Sequence, residues 1–314
     1  MKRDAIVALA GGIGAARFLE GLVRVLDPQQ VCVIGNTGDD AEIHGLHISP
    51  DLDTVTYTLS GLANPKTGWG IKRDSFHCLE SLKTLGAETW FQLGDRDLAT
   101  HIYRTERLRQ GDTLSTVTSS ITAALDLRCT IMPMSDDPVR TRINTSSGEL
   151  EFQTYFVKRR TRDRVTGIRF EGAAKAKPGP RVLEAIADVK GIVLCPSNPF
   201  ISIGPILAVP GIRKALQQRR DKVIAISPIV DGRALKGPTA RMMQSHGMRV
   251  TSLEVAELYT DIAGIFVMDE EDRKHAGAIE ALNMRPVIVN TIMRGLPQKK
   301  ALARVVAREL GMYA

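Results

Sequence analysis

The stretch "AIVALAGGIGAARFLEGLVRVLDPQQVCVIGN", residues 5–36, decides the fold. It begins with a short apolar run, turns through three glycines, and continues at helical spacing until a second apolar run begins. The helical spacing is carried by Phe18, Leu19, Leu22, Val25 and Leu26. A buried strand, a helix and a second buried strand form a βαβ unit, the opening of a doubly wound parallel sheet. The sequence therefore predicts an α/β protein with a Rossmann-like, mainly parallel sheet.

The rest of the chain repeats this alternation. Periodicity predicts further helices over 53–62, 76–86, 181–189, 211–220, 237–247, 254–262 and 298–311, and further strands over 191–198, 222–230, 264–272 and 285–292. Between 75 and 180 the alternation is less regular, apart from a hairpin predicted over 141–158 with Ser-Ser-Gly as its turn. We therefore expect a single domain over residues 1–314, with a smaller inserted or peripheral subdomain within 75–180.

Composition narrows the functional class. The four cysteines are scattered without a CxxC pair, so a disulfide framework or thiolate metal site is not expected, and Cys32, Cys129 and Cys195 are predicted to be buried free thiols. No signal-peptide pattern is present and no apolar run approaches 18 residues, which predicts a cytoplasmic protein without a membrane partner.

The charge suggests an anionic partner. The net charge of +7 fits a ligand that carries phosphate or carboxylate groups. The one dense basic run, "KRRTRDR" at 158–164, has no flanking aromatic array and no zinc or helix-turn-helix spacing. It is interpreted as a solvated face or hairpin, and nucleic acid is not expected as a partner.

Glycines 11, 12 and 14 follow the first strand. Residues without side chains let backbone N–H groups approach a phosphate, and the helix N-terminus adds a partial positive charge. The spacing GGxGxxR is neither the dinucleotide fingerprint GxGxxG nor a P-loop with Lys-Ser/Thr. A phosphate-binding turn is predicted, with a glycine turn that merely starts a helix as the alternative.

An acidic stretch, "GNTGDDAEIHGLHISPDLDT" at 35–54, follows the second strand. In an open parallel sheet, ligands bind outside the carboxyl ends of the strands, which is where Asn36, Thr37, Asp39 and Asp40 would fall. Asp51 and Asp53 follow Pro50 and can point together, so the carboxylates suit a hard cation such as Mg²⁺ beside a phosphate. Helix capping by Ser49 or Asp51 is the structural alternative, and His44 and His47 are not predicted to be metal ligands.

Four further polar groups complete the candidate site. The first two are the cluster of Asp95, Arg96, Asp97 and His101 and the cluster of Asp136, Asp137, Arg140 and Arg142, in which a strand would put both arginines on one face. The others are two loops that follow consecutive strands, one with Ser197, Asn198 and Ser202, the other with Lys236, Gly237 and Pro238. Both loops would leave the same sheet edge, which favours a shared nucleotide site.

The sequence motifs that contain these residues resemble those of the 2-phospho-L-lactate transferase family of coenzyme F-420 biosynthesis. The resemblance is carried in order by "GGIGAARFLEGL", "NTGDD", "ISPDLDTVTYTLSGL", "GWGIKRDSF", "LGDRDLATHIYRTERLRQGDTLS", "MPMSDDPVRTRI", "PSNPFISIGPIL" and "SPIVDGRALKGPTARMM". It covers nearly the whole chain. One departure is "GWGI" at 68–71, where the family pattern is WWGI, and it concerns the acceptor pocket.

The resemblance implies a Mg²⁺-dependent, homodimeric transferase with a Rossmann-like core. Such an enzyme takes the guanylylated donor lactyl-2-diphospho-5′-guanosine, or its phosphoenolpyruvate counterpart, and passes the substituted phosphate to the terminal ribityl hydroxyl of the deazaflavin Fo. GMP leaves. Whether the donor carries phospholactate, phosphoenolpyruvate or 3-phosphoglycerate stays open.

By motif, the resemblance also implies residue roles. Asp40, Asp51 and Asp53 would serve the metal and the acceptor hydroxyl, with Asp53, Asp40 and Arg96 as the catalytic group and Arg96 on Fo or the reacting phosphate. The substrate-binding residues would be Gly11, Gly12, Gly14, Asn36, Thr37, Asp95, Asp97, Ser197, Asn198, Ser202, Gly204 and Lys236. The alternative is a non-catalytic regulator of the related gluconeogenesis-factor type, which binds a nucleotide-sugar. An NAD(P)-dependent oxidoreductase is disfavoured by the glycine spacing.

Overall fold

The computed structural model describes residues 4–235 and 237–313. Its strands are β1 (Ile6–Ala10), β2 (Val31–Gly35), β3 (Ala41–Ile43), β4 (Leu46–Ile48), β5 (Thr130–Pro133), β6 (Arg140–Thr145), β7 (Gly148–Glu151), β8 (Val165–Glu171), β9 (Gly191–Leu194), β10 (Val223–Ile226), β11 (Ile229–Val230), β12 (Arg233–Ala234), β13 (Ile265–Met268) and β14 (Arg285–Ile288). Its α-helices are α1 (Gly12–Leu22), α2 (Pro50–Leu59), α3 (His77–Thr84), α4 (Asp95–Arg109), α5 (Leu114–Ala124), α6 (Val182–Asp188), α7 (Gly204–Ala208), α8 (Ile212–Gln217), α9 (Thr239–Ser245), α10 (Ser252–Glu257), α11 (Ala276–Ala281) and α12 (Leu296–Glu309).

Seven strands form one parallel sheet in the order β14-β13-β10-β9-β1-β2-β5. Strand order reverses between β1 and β9, because β2 and β5 extend the sheet on one side and the later strands extend it on the other. This is the doubly wound, Rossmann-like arrangement that the opening βαβ unit predicts. The reversal leaves a crevice at the carboxyl ends of β1 and β9, where such folds bind ligands.

The core lies on both faces of this sheet. Within β1, Val7 and Leu9 face one apolar cluster, while Ile6, Ala8 and Ala10 face the other, as the alternation of a strand requires. One face is covered by α6, α8, α10 and α11, and the opposite face by α1, α2, α5 and α12. Strands buried on both faces explain why the sequence shows continuous apolar runs.

The segment between 75 and 180 has two parts. Strand β5 forms one edge of the main sheet, and helix α5 packs against it. Strands β7, β6 and β8 form a separate antiparallel sheet. The predicted hairpin forms with Thr145 opposite Gly148, but its second strand ends at Glu151 instead of continuing to 158. A π-helical turn, Thr154–Lys158, follows. The division into one domain with a peripheral subdomain stays a prediction.

The acidic stretch is ordered by a small hairpin. Strands β3 and β4 pair through His44 and Gly45, whose φ angles of 53° and 71° suit a tight two-residue turn. Helix α2 then begins at Pro50, with Asp51 and Asp53 in its first turn. In the described part of the chain, no helix is long and apolar enough to cross a membrane.

Candidate active site

A cavity of about 330 Å³ opens at the carboxyl ends of β1 and β9. Part of its lining comes from the glycine turn after β1, the loop 196–202 after β9 and the first turn of α2, and these residues are called the polar end. Aromatic side chains from three separate segments also line it, and they are called the aromatic end: Trp69, Phe91, Phe152 and Phe156. The two sets are neighbours, because Gly68 lies against Ile13 of the glycine turn and Gln153 donates to the Asp39 carbonyl oxygen at 2.9 Å. One cavity therefore combines a polar lining at the switch point of the sheet with aromatic side chains.

The glycine turn fits tightly against its surroundings. A Cβ atom on Gly11 would lie 2.5 Å from Asp51 Oδ2 and 2.7 Å from the Cβ of Ser202, and one on Gly14 would collide with the Pro196 carbonyl oxygen. Gly12 has a φ of +72°, which disfavours other residues. Glycine is thus required here for close approach of three segments, and Gly11, Gly12 and Gly14 all line the cavity. Their role in binding phosphate stays a prediction.

Asp51 and Asp39 are the buried carboxylates of the polar end. Asp51 Oδ1 accepts a hydrogen bond from the Gly12 backbone N–H and Oδ2 accepts one from Asn36 Nδ2, both at 2.8 Å. Asp39 Oδ1 has no hydrogen-bond partner. Burial raises the pKa of Asp51 to about 6. Burial, together with the charge of Asp51, also raises the pKa of Asp39 well above its ordinary value. Excess negative charge is therefore held where a cation would relieve it.

Asp40 faces away from this cavity. Its Oδ2 accepts from Ser49 Oγ at 2.9 Å and lies 2.9 Å from His47 Nε2, and Asp40 is not among the lining residues. Ser49 occupies the N-cap position of α2, but its hydroxyl donates to Asp40 and forms no capping hydrogen bond with the helix. Asp40 Oδ1 has no hydrogen-bond partner, and the charge of Asp40 contributes to the raised pKa of Asp51. The sharing of a metal by Asp40 and Asp51 stays a prediction.

Asp53 lines the cavity but is bound to a buried arginine. Arg104 Nη1 donates to Asp53 Oδ2 at 3.0 Å, and Nη2 forms a second, shorter contact with Oδ1. Although burial opposes the charge of Arg104, Asp53 holds the pKa of the guanidinium above its ordinary value. Asp53 is thus neutralised by a bidentate ion pair, which weakens it as a metal ligand.

Helix α4 presents Asp97 and His101 to the cavity. Tyr57 donates to Asp97 Oδ1 at 2.7 Å, and His101 Nε2 lies 3.2 Å from the same oxygen. Arg104 Nη1 lies 3.3 Å from His101 Nδ1. Asp97, His101 and Arg104 follow one another at the three- and four-residue spacing of a helix face, so they are buried together.

Asp95 and Arg96 lie outside the cavity lining. Asp95 accepts hydrogen bonds from the backbone N–H groups of His77 and Cys78, both at 3.0 Å. A hydrogen bond from Ser75, together with these two, lowers its pKa. Arg96 is exposed, and its guanidinium donates to the Lys72 carbonyl oxygen at 3.3 Å. Of the predicted cluster, only the inward face of α4 reaches the site.

The loop after β9 combines lining residues and supporting ones. Ser197, Asn198 and Ser202 line the cavity. Ser197 Oγ donates to the Gly11 carbonyl oxygen at 2.9 Å, while Asn198 Oδ1 accepts from two backbone N–H groups of the π-helical turn Pro199–Ile203. The predicted residues Asn36, Thr37 and Gly204 lie outside the lining, and Lys236 lies outside the described residues.

The cluster around 132–143 is structural. Asp136 accepts from the Ser115 N–H at the start of α5, and Asp137 accepts from the Lys177 N–H, both at 2.7 Å. Arg140 and Arg142 share one face of β6, as the alternation predicts, and Arg142 pairs with Glu151 and Glu171. The ion pairs of Arg142 join the strands of the small antiparallel sheet, and none of these four residues lines the cavity.

Comparison with known proteins identifies the family. Residues 6–307 match the family model described as 2-phospho-L-lactate transferase CofD. The chain belongs to this family. A 2-phospho-L-lactate transferase from Methanosarcina mazei is 39% identical over 303 residues, which cover 96% of this chain and 99% of that protein. A phosphoenolpyruvate transferase from Streptomyces griseus is 42% identical over 305 residues, covering 95% of this chain and 96% of that one.

Solved structures share the fold of this family member. A UPF0052 family protein from Bacillus halodurans superposes with a TM-score of 0.65 at 15% identity, covering 98% of this chain and 99% of that chain. At this level of identity the likeness concerns the Rossmann-like architecture alone.

Proposed function

We propose that this protein transfers a phospholactyl or phosphoenolpyruvyl group from a guanylylated donor to the terminal ribityl hydroxyl of Fo, releasing GMP. The observation that carries the proposal is the single cavity that joins a glycine-lined, carboxylate-bearing end to an aromatic end. A nucleotide-linked donor and a planar-ring acceptor must meet in one space, because holding both reactants in line supplies much of the catalysis. The names of the relatives point to the same class of transfer.

The donor would occupy the polar end. The turn at Gly11–Gly14 and the N-terminus of α1 present backbone groups and a partial positive charge to a diphosphate. Asn198 and Ser202, on the loop that follows β9, also line the cavity, and their polar side chains complete this end. Arg17, which also lines the cavity, supplies a cationic group within the first turns of α1.

Mg²⁺ fits the polar end through two carboxylates. Asp39 and Asp51 lie there with raised pKa values, and Asp39 Oδ1 lacks a partner. Among the described residues, no group of three or more potential ligand side chains is preassembled. Mg²⁺ commonly takes one or two carboxylates and completes its shell with water and substrate phosphates. When bound, it would neutralise charge on the transferring phosphate. Asp40 Oδ1 is unpartnered as well, but Asp40 is not among the lining residues. We therefore propose Asp39 and Asp51, which both line the cavity, as its protein ligands.

The acceptor would occupy the aromatic end. Trp69 is 42% exposed at the cavity edge, and Phe152 and Phe156 stack at 5.4 Å between ring centroids. Such surfaces suit the flat deazaflavin ring, with its ribityl chain directed toward the polar end. Gly68 precedes Trp69 with a φ of +83°, and a Cβ there would lie 2.9 Å from Ile13 Cγ2. The backbone conformation at position 68 and the nearby Ile13 side chain therefore both favour the glycine of "GWGI" over a residue with a side chain.

Replacing Trp69 by alanine tests the acceptor end. We expect the KM for Fo to rise about tenfold, since an aromatic contact contributes roughly 0.5–1.5 kcal/mol beyond its buried area. The KM for the donor should stay unchanged. Phe76→Ala, an exposed aromatic outside the cavity lining, is the matched control. An equal effect of both substitutions would contradict this placement of the acceptor.

The proposed reaction is tested by direct turnover. The protein is mixed with Fo, Mg²⁺ and each of the three guanylylated donors, carrying phospholactate, phosphoenolpyruvate or 3-phosphoglycerate, and GMP and the deazaflavin product are followed by mass. Product with one donor would establish the transfer and name the donor. A folded protein that binds a nucleotide-sugar and forms no product with any donor would contradict the proposal and favour the regulatory alternative.

Two finer expectations accompany this function. We propose that the protein acts in the cytoplasm as a homodimer. Light scattering of the purified protein tests the dimer, and a monomeric mass at micromolar concentration would contradict it.

A further inference from the structure

Asp97 is the cavity carboxylate with one oxygen left free. Its Oδ1 accepts from the Tyr57 hydroxyl at 2.7 Å and lies 3.2 Å from His101 Nε2. Its Oδ2 has no hydrogen-bond partner among the described residues, yet it is not one of the atoms sealed from solvent without a partner. Asp97 lines the cavity, so this oxygen is available to a ligand.

The other aspartates of the cavity are committed elsewhere. Both oxygens of Asp53 are engaged by Arg104. Both oxygens of Asp51 accept hydrogen bonds, from the Gly12 backbone and from Asn36. The unpartnered oxygen of Asp39 lies beside Asp51 at the donor end, where it is proposed to serve the metal. Asp97 alone of these four is left with an oxygen that has no protein partner and no proposed metal.

We propose that Asp97 is the catalytic residue that accepts the proton of the attacking hydroxyl. This inference rests on the proposed transfer to Fo and names the residue that serves the acceptor in it. The acceptor hydroxyl would donate to Asp97 Oδ2, which orients one oxygen lone pair toward the donor phosphorus. A positioned carboxylate of this kind is a suitable general base.

The proposed step balances. The hydroxyl oxygen forms a bond to the phosphorus that carries the lactyl or enolpyruvyl group, and the bond from that phosphorus to the bridging oxygen of GMP breaks. GMP leaves with the bonding electron pair on its phosphate oxygen. The hydroxyl proton passes to Asp97 Oδ2 and returns to water after the products leave. No oxidant or reductant is needed.

Tyr57 is the positioning residue for this carboxylate. Burial and the charges of Asp53 and Asp97 raise the pKa of Tyr57, so its hydroxyl stays protonated and keeps donating to Asp97. Arg104 Nη1 carries only donor hydrogens, so His101 Nδ1 accepts from it, while His101 Nε2 lies 3.2 Å from Asp97 Oδ1 without forming a hydrogen bond. The hydrogen bond from Tyr57 therefore fixes Oδ1 and leaves Oδ2 to the ligand.

The test compares Asp97→Asn with the wild-type protein under saturating Fo and donor. We expect kcat to fall about 100-fold, the range for loss of a general base, while the KM for the donor and the Kd for Fo, measured by deazaflavin fluorescence, stay within about threefold. Tyr57→Phe should lower kcat about tenfold, also without raising either KM. Glu106→Gln, on the exposed side of the same helix, is the control.

The outcomes separate this inference from the proposed function. If the wild-type protein forms product and Asp97→Asn keeps a near-wild-type kcat, the role of Asp97 is overturned while the proposed function stands. A raised Kd for Fo with unchanged kcat would also overturn it, since Asp97 would then only bind the acceptor. No wild-type product from any donor would overturn the proposed function and the role of Asp97 with it. Asp97→Glu, which keeps the carboxylate, should recover part of the lost kcat, and its failure to exceed Asp97→Asn would count against proton transfer.

Discussion

Replacing Asp39 by asparagine should lower turnover by about 10³-fold while making the metal-free protein more stable at neutral pH. The loss of activity follows because a charge that serves the transferring phosphate is removed from a buried site, where electrostatic contributions to catalysis are large. The gain in stability follows because the carboxylate is buried beside Asp51 and its Oδ1 has no partner. Sites built for a ligand commonly carry such a cost in the absence of that ligand.

The sign of the pH dependence follows from the raised pKa of Asp39. A carboxyl group whose folded pKa lies above its unfolded value of 3.8 favours the folded state below that value. That contribution is lost as the pH rises through the folded pKa, at up to about 1.4 kcal/mol per pH unit. In EDTA, the unfolding free energy of the wild-type protein should therefore fall from pH 4 toward neutrality more steeply than that of Asp39→Asn.

Urea unfolding at several pH values, with EDTA or with Mg²⁺, measures this difference. Mg²⁺ should stabilise the wild-type protein more than Asp39→Asn, because only the former offers both carboxylates. Asp188→Asn, an exposed aspartate, is the matched control and should change neither turnover nor the response to Mg²⁺. Wild-type turnover in Asp39→Asn, or equal stabilisation of both proteins by Mg²⁺, would remove Asp39 from the proposed metal site.

The fold could be predicted because its signals are local. The run from β1 to β2 contains a strand, a glycine turn and an amphipathic helix in direct succession, and each has its own period. The sequence does not reveal that β1 and β9 are neighbours, because paired positions such as Ile6 and Gly191 lie 185 positions apart in the chain. The switch point therefore becomes visible only when the sheet is assembled.

The polar end of the site was only partly predictable. Asp39 and Asp40 are adjacent, and the sequence gives no reason to prefer one, yet the turn before β3 directs Asp39 to the cavity and Asp40 to His47 and Ser49. Asp53 lines the cavity, and its partner Arg104 lies 51 residues further along the chain. Ion pairs at that separation follow from packing and leave no local pattern.

The helical period distinguishes the members of the polar cluster on α4. Asp97, His101 and Arg104 fall on one helical face, while Arg96 is offset by one position and projects outward. Spacings of three and four residues therefore separate the buried members from the exposed arginine. The aromatic end had a weaker signal, since Phe152 and Phe156 meet only because a π-helical turn replaces the end of the predicted hairpin.

Replacing Arg104 by methionine should destabilise the protein by about 3–5 kcal/mol. Arg104 is 2% exposed, and it satisfies both oxygens of Asp53. Removing one partner of a buried ion pair leaves the other charge uncompensated in a medium that solvates it poorly, which accounts for the size of the effect. The change should appear as a lower urea midpoint with an unchanged slope.

A double-mutant cycle separates the energy of the Asp53–Arg104 ion pair from the packing energy of the arginine side chain. Asp53→Asn in the Arg104→Met background removes the stranded charge, so the double variant should be more stable than Arg104→Met alone. Arg104→Lys keeps the charge but not the paired donors, and its stability should lie between those of the wild type and Arg104→Met. If Arg104→Met lost less than about 1 kcal/mol, or if the two substitutions were additive, Asp53 would be solvated by some other group. The carboxylate would then be free to take the metal role that its sequence position suggests, and the choice of Asp39 and Asp51 as the ligand pair would have to be reopened.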